Sequence, residues 1–384
     1  MMHISKKCWS AREAIAVVFF VIFLWLPLFK MSLPVFTKTD SSENRVLAKK
    51  PELKQLSFKA ISNYTKDFEK YFNDHYGFRN MLVSLNSIIH VKLFGMSPTE
   101  SVIVGKQGWL FYDDPNDGLS LKDYTGGVNF TKEEIELVRH KILSLNELLR
   151  GKNIHFMLVI VPNKHTVYPE YLPTSVARKK GNVTRIDQVC ECLKDSGIDL
   201  VDLRTKMWSS KGSYQYPLYY RTDTHWNNLG AFLGYEEIIM HVRKQYPQVD
   251  SAKLSFFDVL PGHRYGGDIG GMMNMQWLMS DTEITLRPKT SPVALPLPVA
   301  YKSMPGRASV GAQINNKRLP KLVMFRDSFS DALIPYLSEN FSRSVYIWKP
   351  EIDLPVIERE KPDIVIFEIV ERYLNALVTL TADK

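Results

Sequence analysis

Val323-Met324-Phe325-Arg326-Asp327-Ser328-Phe329-Ser330 is an apolar run that stops abruptly on Asp-Ser, with helix-like sequence after it. Continuous apolar runs of this kind suit strands buried on both faces of a parallel sheet. The pattern extends outward in both directions. Upstream, Thr131-Lys132-Glu133-Glu134 is a capping box opening a helix with Ile135, Val138, Ile142 and Leu145 on its apolar side and an end near Gly151. Residues 154–161 then read as a buried strand, 183–195 as a helix, 198–203 as a strand and 228–246 as a helix. Downstream, a helix over 329–341, a strand over 345–348, a short helix and a strand over 364–369 complete the series. Strands alternating with helices predict an α/β fold, a mostly parallel sheet flanked by helices. Sites in such sheets form beyond the carboxyl ends of the strands, and Ser328 lies at one of those ends.

Residues 251–318 break the alternation. They contain His263-Arg264-Tyr265-Gly266-Gly267-Asp268-Ile269-Gly270-Gly271 and then proline-rich, β-like sequence, and read as an insertion with a glycine-rich loop. Residues 101–112 read as a short hairpin around Gly105 and Gly108, and residues 57–94 as a helical pair broken at Gly77. The N-terminus differs in kind. Lys6, Lys7 and Arg12 precede an uncharged apolar run over 14–29, extended to residue 36 by a stretch that only Lys30 and Ser32 interrupt. A span needs ~20 apolar residues, and no small-residue cleavage site follows this one. The expected organisation is a membrane anchor over 1–36, a linker and helical juxtamembrane region over 37–100, and the α/β domain over 101–384. The leading positive charges place the N-terminus in the cytoplasm and the remainder outside. A cleaved signal is the alternative reading.

Of the three cysteines, Cys8 falls on the cytoplasmic side of the anchor, and Cys190 and Cys192 stand two apart, so neither a disulfide framework nor a thiolate zinc site is expected. The +8 net charge is spread among acidic residues without a basic run interleaved with aromatics, so no nucleic-acid partner is expected.

A serine hydroxyl becomes a nucleophile when a base accepts its proton and backbone N–H groups stabilise the oxyanion. Ser328 has the placement for this, and also that of an ordinary helix N-cap. His225 follows Asp223 by two residues in Thr222-Asp223-Thr224-His225-Trp226, so the carboxylate can hold Nδ1–H and leave Nε2 as base. Asp223 or Thr224 as a helix cap is the other reading. Asp223, His225, His263 and Asp268 are also types that bind zinc or manganese, but lack a second tightly spaced ligand pair. Gly266 and Gly267 offer oxyanion N–H groups, or merely turn. Glu371-Arg372, after the last strand, is placed for substrate positioning or for a surface ion pair.

From about Phe68 to Leu374 the chain resembles the SGNH-like O-acetyltransferase family that includes the periplasmic alginate acetylation proteins. The resemblance rests on residues 69–79 (Glu-Lys-Tyr-Phe-Asn-Asp-His-Tyr-Gly-Phe-Arg), Gly108-Trp109-Leu110-Phe111, Val161-Pro162-Asn163-Lys164 and Tyr168-Pro169-Glu170. It continues through Thr222-Asp223-Thr224-His225-Trp226, Gly267-Asp268-Ile269, Asp327-Ser328-Phe329-Ser330 and Glu371-Arg372-Tyr373-Leu374. It implies a flavodoxin-like, SGNH-hydrolase-like sheet in circularly permuted order, the Asp/His pair preceding the serine. Ser328 would be the nucleophile, His225 the base and Asp223 its orienter, with oxyanion or substrate contacts from Gly266, Gly267, Phe329, Lys164 and Arg372. Ordinary SGNH hydrolases carry glycine before Asp-Ser, where this chain has Arg326, so Arg326 is assigned no oxyanion role. No cofactor is implied. The expected activity is transfer of acetyl groups to exopolysaccharide hydroxyls outside the cytoplasm, the acetyl supplied by a membrane-bound O-acyltransferase. An acetylesterase with the same residues, and a glycan-binding subunit of an export complex, are the competing expectations.

Overall fold

The computed structural model describes residues 10–32, 47–53 and 55–383. Most of the segment read as a linker, with Lys6, Lys7 and Cys8, lies outside them. The chain divides into two compact units, one of residues 1–98 with 271–275, the other of residues 99–270 with 276–384.

In the first unit, α1 (Ala11–Ser32) contains a 21-residue apolar stretch, Ala11–Met31, long enough to cross a membrane, and its residues are exposed apart from the buried Pro27 and half-buried Lys30 and Met31. At 1.5 Å per residue it spans ~30 Å, the thickness of a bilayer core. Helix α2 (Phe58–His75) starts where Ser57 accepts a hydrogen bond from the Ala60 N–H. Helix α3 (Arg79–Phe94) ends on Gly95 in the left-handed region at φ +62°, the usual glycine stop. The predicted helical pair and its break at Gly77 agree with these bounds.

The second unit opens with a hairpin of β1 (Val102–Val104) and β2 (Leu110–Tyr112). Helix α4 (Lys132–Arg150) begins on the predicted capping box, Thr131 and Glu134 bonding each other's backbone N–H groups. After it come β3 (His155–Val161), α5 (Arg185–Leu193), β4 (Asp199–Asp202) and α6 (Asn228–Gln245). Strands β5 (Phe257–Tyr265) and β6 (Ser280–Pro288) form a separate antiparallel hairpin. The chain continues through β7 (Leu295–Leu297), β8 (Val310–Gln313), β9 (Lys321–Arg326), β10 (Arg343–Trp348), β11 (Ile352–Asp353), β12 (Ile364–Val370) and β13 (Ala382–Asp383).

Seven strands form the main sheet in the order β4-β3-β12-β9-β10-β8-β7. The first five run parallel, and β8 and β7 add to the edge antiparallel. The region read as an insertion therefore has two fates: its first half is the β5–β6 hairpin, and its second half builds the sheet edge. Both faces of the sheet are covered, as continuous apolar strands require. Met157, Val159 and Val161 of β3 pack with α6 on one face, while Phe156, Leu158 and Ile160 pack with α4 and α5 on the other. β9 divides the same way, Leu322 and Met324 against Val323 and Phe325.

The single helix predicted over 329–341 is broken into a 3-10 turn (Ser328–Ala332), a short helix (Ile334–Leu337) and another 3-10 turn (Ser338–Asn340). Pro335 accounts for the break. It has no N–H to continue a helix from Ser328, but fits the first turn of a new one.

Candidate active site

β9 sits in the interior of the sheet and delivers Asp327-Ser328 at its carboxyl end. The Asp327 carboxylate does not face outward. It accepts hydrogen bonds from the Phe329 N–H and the Val370 N–H, both at 2.8 Å, and so staples the turn to the end of β12. Glu368 of β12 completes the staple, accepting from the Asp327 N–H at 3.0 Å and the Ser330 hydroxyl at 2.6 Å. Burial, joined by the nearby Asp327 charge, pushes the Glu368 carboxyl well above its ordinary range. Arg326 turns away from the serine: its Nη1 donates to the Asp327 carbonyl at 3.0 Å and to Asp331 at 2.5 Å, and its guanidinium covers the Trp348 ring at 4.7 Å. The residue that replaces glycine braces the turn.

The second half of the site comes from residues 218–227, irregular backbone that enters α6 through the Asn227 cap. Irregular buried backbone needs outside partners for its polar groups. Asp281 of β6 accepts from the Arg221 and Thr222 N–H groups and from the Thr222 hydroxyl. Lys164 donates to the carbonyls of Tyr220, Arg221 and Asp223 at 3.1, 3.1 and 2.6 Å.

These elements bring three side chains into line. The Asp223 carboxylate and His225 Nδ1 are 2.7 Å apart, and His225 Nε2 and the Ser328 hydroxyl are 2.8 Å apart, across 103 positions of sequence. The Asp223 carboxylate also accepts from the His225 backbone N–H at 3.1 Å and from Arg264 Nη2 at 3.1 Å. Burial pushes the Asp223 carboxyl upward, but the His225 hydrogen bonds and the His225 and Arg264 charges outweigh it and hold the group well below the carboxylate range. A permanently ionised Asp223 fixes His225 with Nδ1 as donor and Nε2 as acceptor toward Ser328. The Phe329 ring lies 4.9 Å from the imidazole and limits its rotation.

The family follows from a match over residues 102–348, more than half the chain, to the family described as "SGNH hydrolase-like domain, acetyltransferase AlgX". The chain belongs to this family. Among curated relatives, the probable alginate O-acetylase AlgJ of Azotobacter vinelandii is 24% identical over 219 residues, which is 56% of this chain and 52% of that protein. The protein of the same description from Pseudomonas aeruginosa is 22% identical over 327 residues, 80% of this chain and 78% of its own. The chain thus spans about half the length of the first of these relatives and more of the second. Two solved structures share the fold of this SGNH-like domain: Bacillus cereus PatB1 with a sulfonyl adduct, and a DHHW family protein from Eubacterium siraeum. Each has a TM-score of 0.51 and 17% identity, covering 71% and 74% of this chain and 97% and 99% of the respective neighbours.

Several residues expected to contact substrate in this SGNH-like domain are committed elsewhere. The Gly266 N–H donates to the Gln276 and Met279 carbonyls, and the Gly267 N–H to the Thr222 hydroxyl at 2.8 Å. Neither is free for an oxyanion. Gly267 is instead a close-approach residue, because a Cβ there would stand 2.3 Å from the Asp223 carboxylate. The Phe329 N–H is likewise occupied by Asp327. Lys164 has no donor left for substrate, since its three N–H bonds hold the segment that carries Asp223. Its ammonium is pulled down to about 8 by burial, against the opposing charges of Asp268, Asp223 and Asp281.

Arg372 has the opposite character. It is buried, its guanidinium lies over the rings of Tyr373, Phe329 and Tyr112 at 5.0, 5.3 and 5.8 Å, and its Nε has no hydrogen-bond partner. Burial depresses its basicity, and Tyr373, Asp327 and Asp268 more than restore it. No carboxylate of the described residues forms an ion pair with it. Glu371 is buried instead against the Asn163 N–H at 2.7 Å and the Thr166 hydroxyl, which rules out the surface ion pair of Glu371 with Arg372.

Asp268, read in the sequence as a possible metal ligand and as part of the Gly267-Asp268-Ile269 landmark, accepts from the Thr224 N–H at 2.7 Å and the Thr224 hydroxyl at 2.6 Å, and stands 3.7 Å from His225 Nδ1. Asp223, His225 and Asp268 offer atoms within 4.8 Å of one another, a spacing a cation could share. Both His225 nitrogens are already used by Asp223 and Ser328, and His263 is absent from the group. Asp268, Arg264, Asp281 and Glu368 reach the site from distant elements, and nothing in local sequence spacing announces them.

Proposed function

We propose that the protein is an extracytoplasmic O-acetyltransferase that moves acetyl groups onto the hydroxyls of an alginate-like exopolysaccharide through an acetyl-Ser328 intermediate. The observation that carries this reading is the continuous hydrogen-bonded line from Asp223 through His225 to Ser328. Ser328 Oγ attacks the acetyl carbonyl of the donor, and His225 Nε2 takes its proton. The tetrahedral intermediate collapses, the donor's leaving oxygen takes the proton from His225, and acetyl-Ser328 remains. An acceptor hydroxyl then gives its proton to His225 and attacks the ester. The acetylated glycan leaves, and Ser328 Oγ recovers its proton.

The oxyanion needs donors aimed at it in a site that excludes water. The Ser328 N–H heads a 3-10 turn and has no partner within that turn. Arg372, whose Nε has no hydrogen-bond partner and whose guanidinium lies 5.3 Å from the Phe329 ring, supplies the positive charge. These two are the donors we assign, in place of the glycine N–H groups.

The alginate-like acceptor is taken from the names of the AlgJ relatives. Acetyl-CoA is cytoplasmic, so a domain held outside by α1 needs its acetyl group delivered across the membrane, and a membrane-bound O-acyltransferase is the partner class that does this. Intact-protein mass spectrometry after exposure to an active-ester acetyl donor tests the reading. Wild type gains one acetyl group and Ser328→Ala gains none; an equal adduct on both proteins removes Ser328 from the reaction. Adding alginate oligosaccharides shifts the product from free acetate to acetylated sugar, whereas acetate as the sole product at every acceptor concentration makes the enzyme an esterase.

A further inference from the structure

A groove of about 650 Å³ opens beside the reactive segment, and neither Ser328, His225 nor Arg372 lines it. Trp109, Tyr171, Tyr214, Tyr216, Tyr219 and Arg221 form much of its wall. Its aromatic base is rigid: Trp109 and Tyr171 stack with centroids 4.4 Å apart and planes 4° apart, and Tyr168 closes on the same indole at 4.6 Å. Tyr171, Tyr214 and Tyr216 are half-buried, and among the described residues their hydroxyls have no hydrogen-bond partner. The amides of Gln107 and Gln215, also in the wall, are equally uncommitted and exposed.

The basic residues of the groove are paired. Lys211 donates to the Val167 carbonyl at 2.7 Å and to Glu170 at 3.0 Å. Arg221 donates to the Ser280 carbonyl at 3.1 Å, with its Nε 3.9 Å from Asp281. The groove therefore offers the half-buried rings of Tyr171, Tyr214 and Tyr216, backed by the buried Trp109, beside neutral donors and acceptors and paired charges. That combination fits a molecule with C–H faces and a rim of hydroxyls, which is a sugar. The volume lies within the ~300–1,000 Å³ range of sites that enclose a ligand of several rings.

We infer that this groove is an acceptor subsite for a saccharide chain, holding sugar residues other than the one that is acetylated. The inference rests on the acetyl-transfer reading for its biological sense, but the groove's lining argues for a sugar independently. Its wall is continuous with the reactive residues: Tyr219, Tyr220 and Arg221 run directly into Thr222 and Asp223. The Tyr219 ring also lies 6.4 Å from that of Phe329, which packs on His225. A chain seated in the groove lies against the segment that presents the base.

The test uses the full chain, a ladder of alginate oligosaccharides of increasing length, and the variants Tyr214→Ala, Tyr216→Ala and the double variant, each checked for unchanged thermal unfolding. Transfer to long oligosaccharides should fall roughly tenfold or more in kcat/KM in the double variant, carried by KM. Transfer to the shortest acceptors and acetylation of Ser328 by the active ester should match wild type. Calorimetric titration of the same oligosaccharides should show the same weakening. An unchanged length dependence in the double variant overturns the subsite, as does a parallel loss of Ser328 acetylation. If wild-type Ser328 is never acetylated, the transfer reading fails and calorimetry alone decides the groove: weaker binding in the variants upholds it, and equal or absent binding rejects it.

Discussion

Asp223 is asked to be ionised, buried and immobile at once, and three neighbours make that possible. His225 supplies hydrogen bonds from Nδ1 and its backbone N–H, Arg264 supplies the counter-charge, and Gly267 supplies the room. Asp223→Asn keeps the shape but removes the charge and permits the wrong imidazole tautomer, so acetyl transfer should drop by roughly 10⁴-fold with the fold intact. Single-turnover acetylation of Ser328 measures it, and a loss below tenfold would show that His225 does not depend on Asp223. Gly267→Ala attacks the same point from behind, since its methyl cannot coexist with the carboxylate at 2.3 Å. Turnover should collapse more than stability, read as acetylation rate against urea midpoint.

The buried Glu371 sets a pH dependence. Burial raises its carboxyl from 4.5 to about 7, against hydrogen bonds from the Asn163 N–H and Thr166. A folded-state pKa above the unfolded one means the contribution is full below pH 4.5 and is lost as pH rises through about 7. Glu371→Gln should remove roughly 3 kcal/mol of relative destabilisation between those limits. Urea unfolding at a series of pH values gives the difference curve, which a flat result would refute.

At the scale of elements, the serine, the histidine and its aspartate could be read from sequence because each sits in a short motif beside an element end. The capping box at Thr131, the buried strands and their helices were legible for the same local reason. Thr131→Ala should cost about 1 kcal/mol of stability and leave acetylation of Ser328 unchanged, as calorimetric melting and the active-ester assay would register. The role of Gly266 and Gly267 is not legible locally, because a Gly-Gly-Asp loop has the same sequence signature whether its N–H groups face a ligand or the protein. Here they close the β5–β6 hairpin and grip Thr222. The partners of Lys164 are hidden for a related reason. Its position after β3 was visible, but its three carbonyl partners lie more than fifty residues away. The division of residues 251–318 between a hairpin and the sheet edge is a long-range pairing choice, and local alternation carries no register for it.

At the scale of the molecule, the proposed chemistry bears on location. An enzyme that draws acetyl groups from a membrane donor gains from being held at that membrane, where its effective concentration near the donor is high. Helix α1 has the length and composition for this, with an apolar stretch of 21 residues. A single uninterrupted span resists both salt and alkali, whereas a protein held by its +8 net charge alone leaves anionic lipid as ionic strength rises. Full-length protein should therefore stay in the membrane fraction through high-salt and carbonate washes, and a chain lacking residues 1–36 should not. Recovery in the soluble extracytoplasmic fraction of a chain shortened by the mass of its first residues would instead make α1 a cleaved signal. Anchoring then predicts a second effect. Removing residues 1–36 should leave acetylation of Ser328 by a soluble active ester unchanged but sharply reduce polymer acetylation in cells, because only the cellular reaction depends on proximity to the donor.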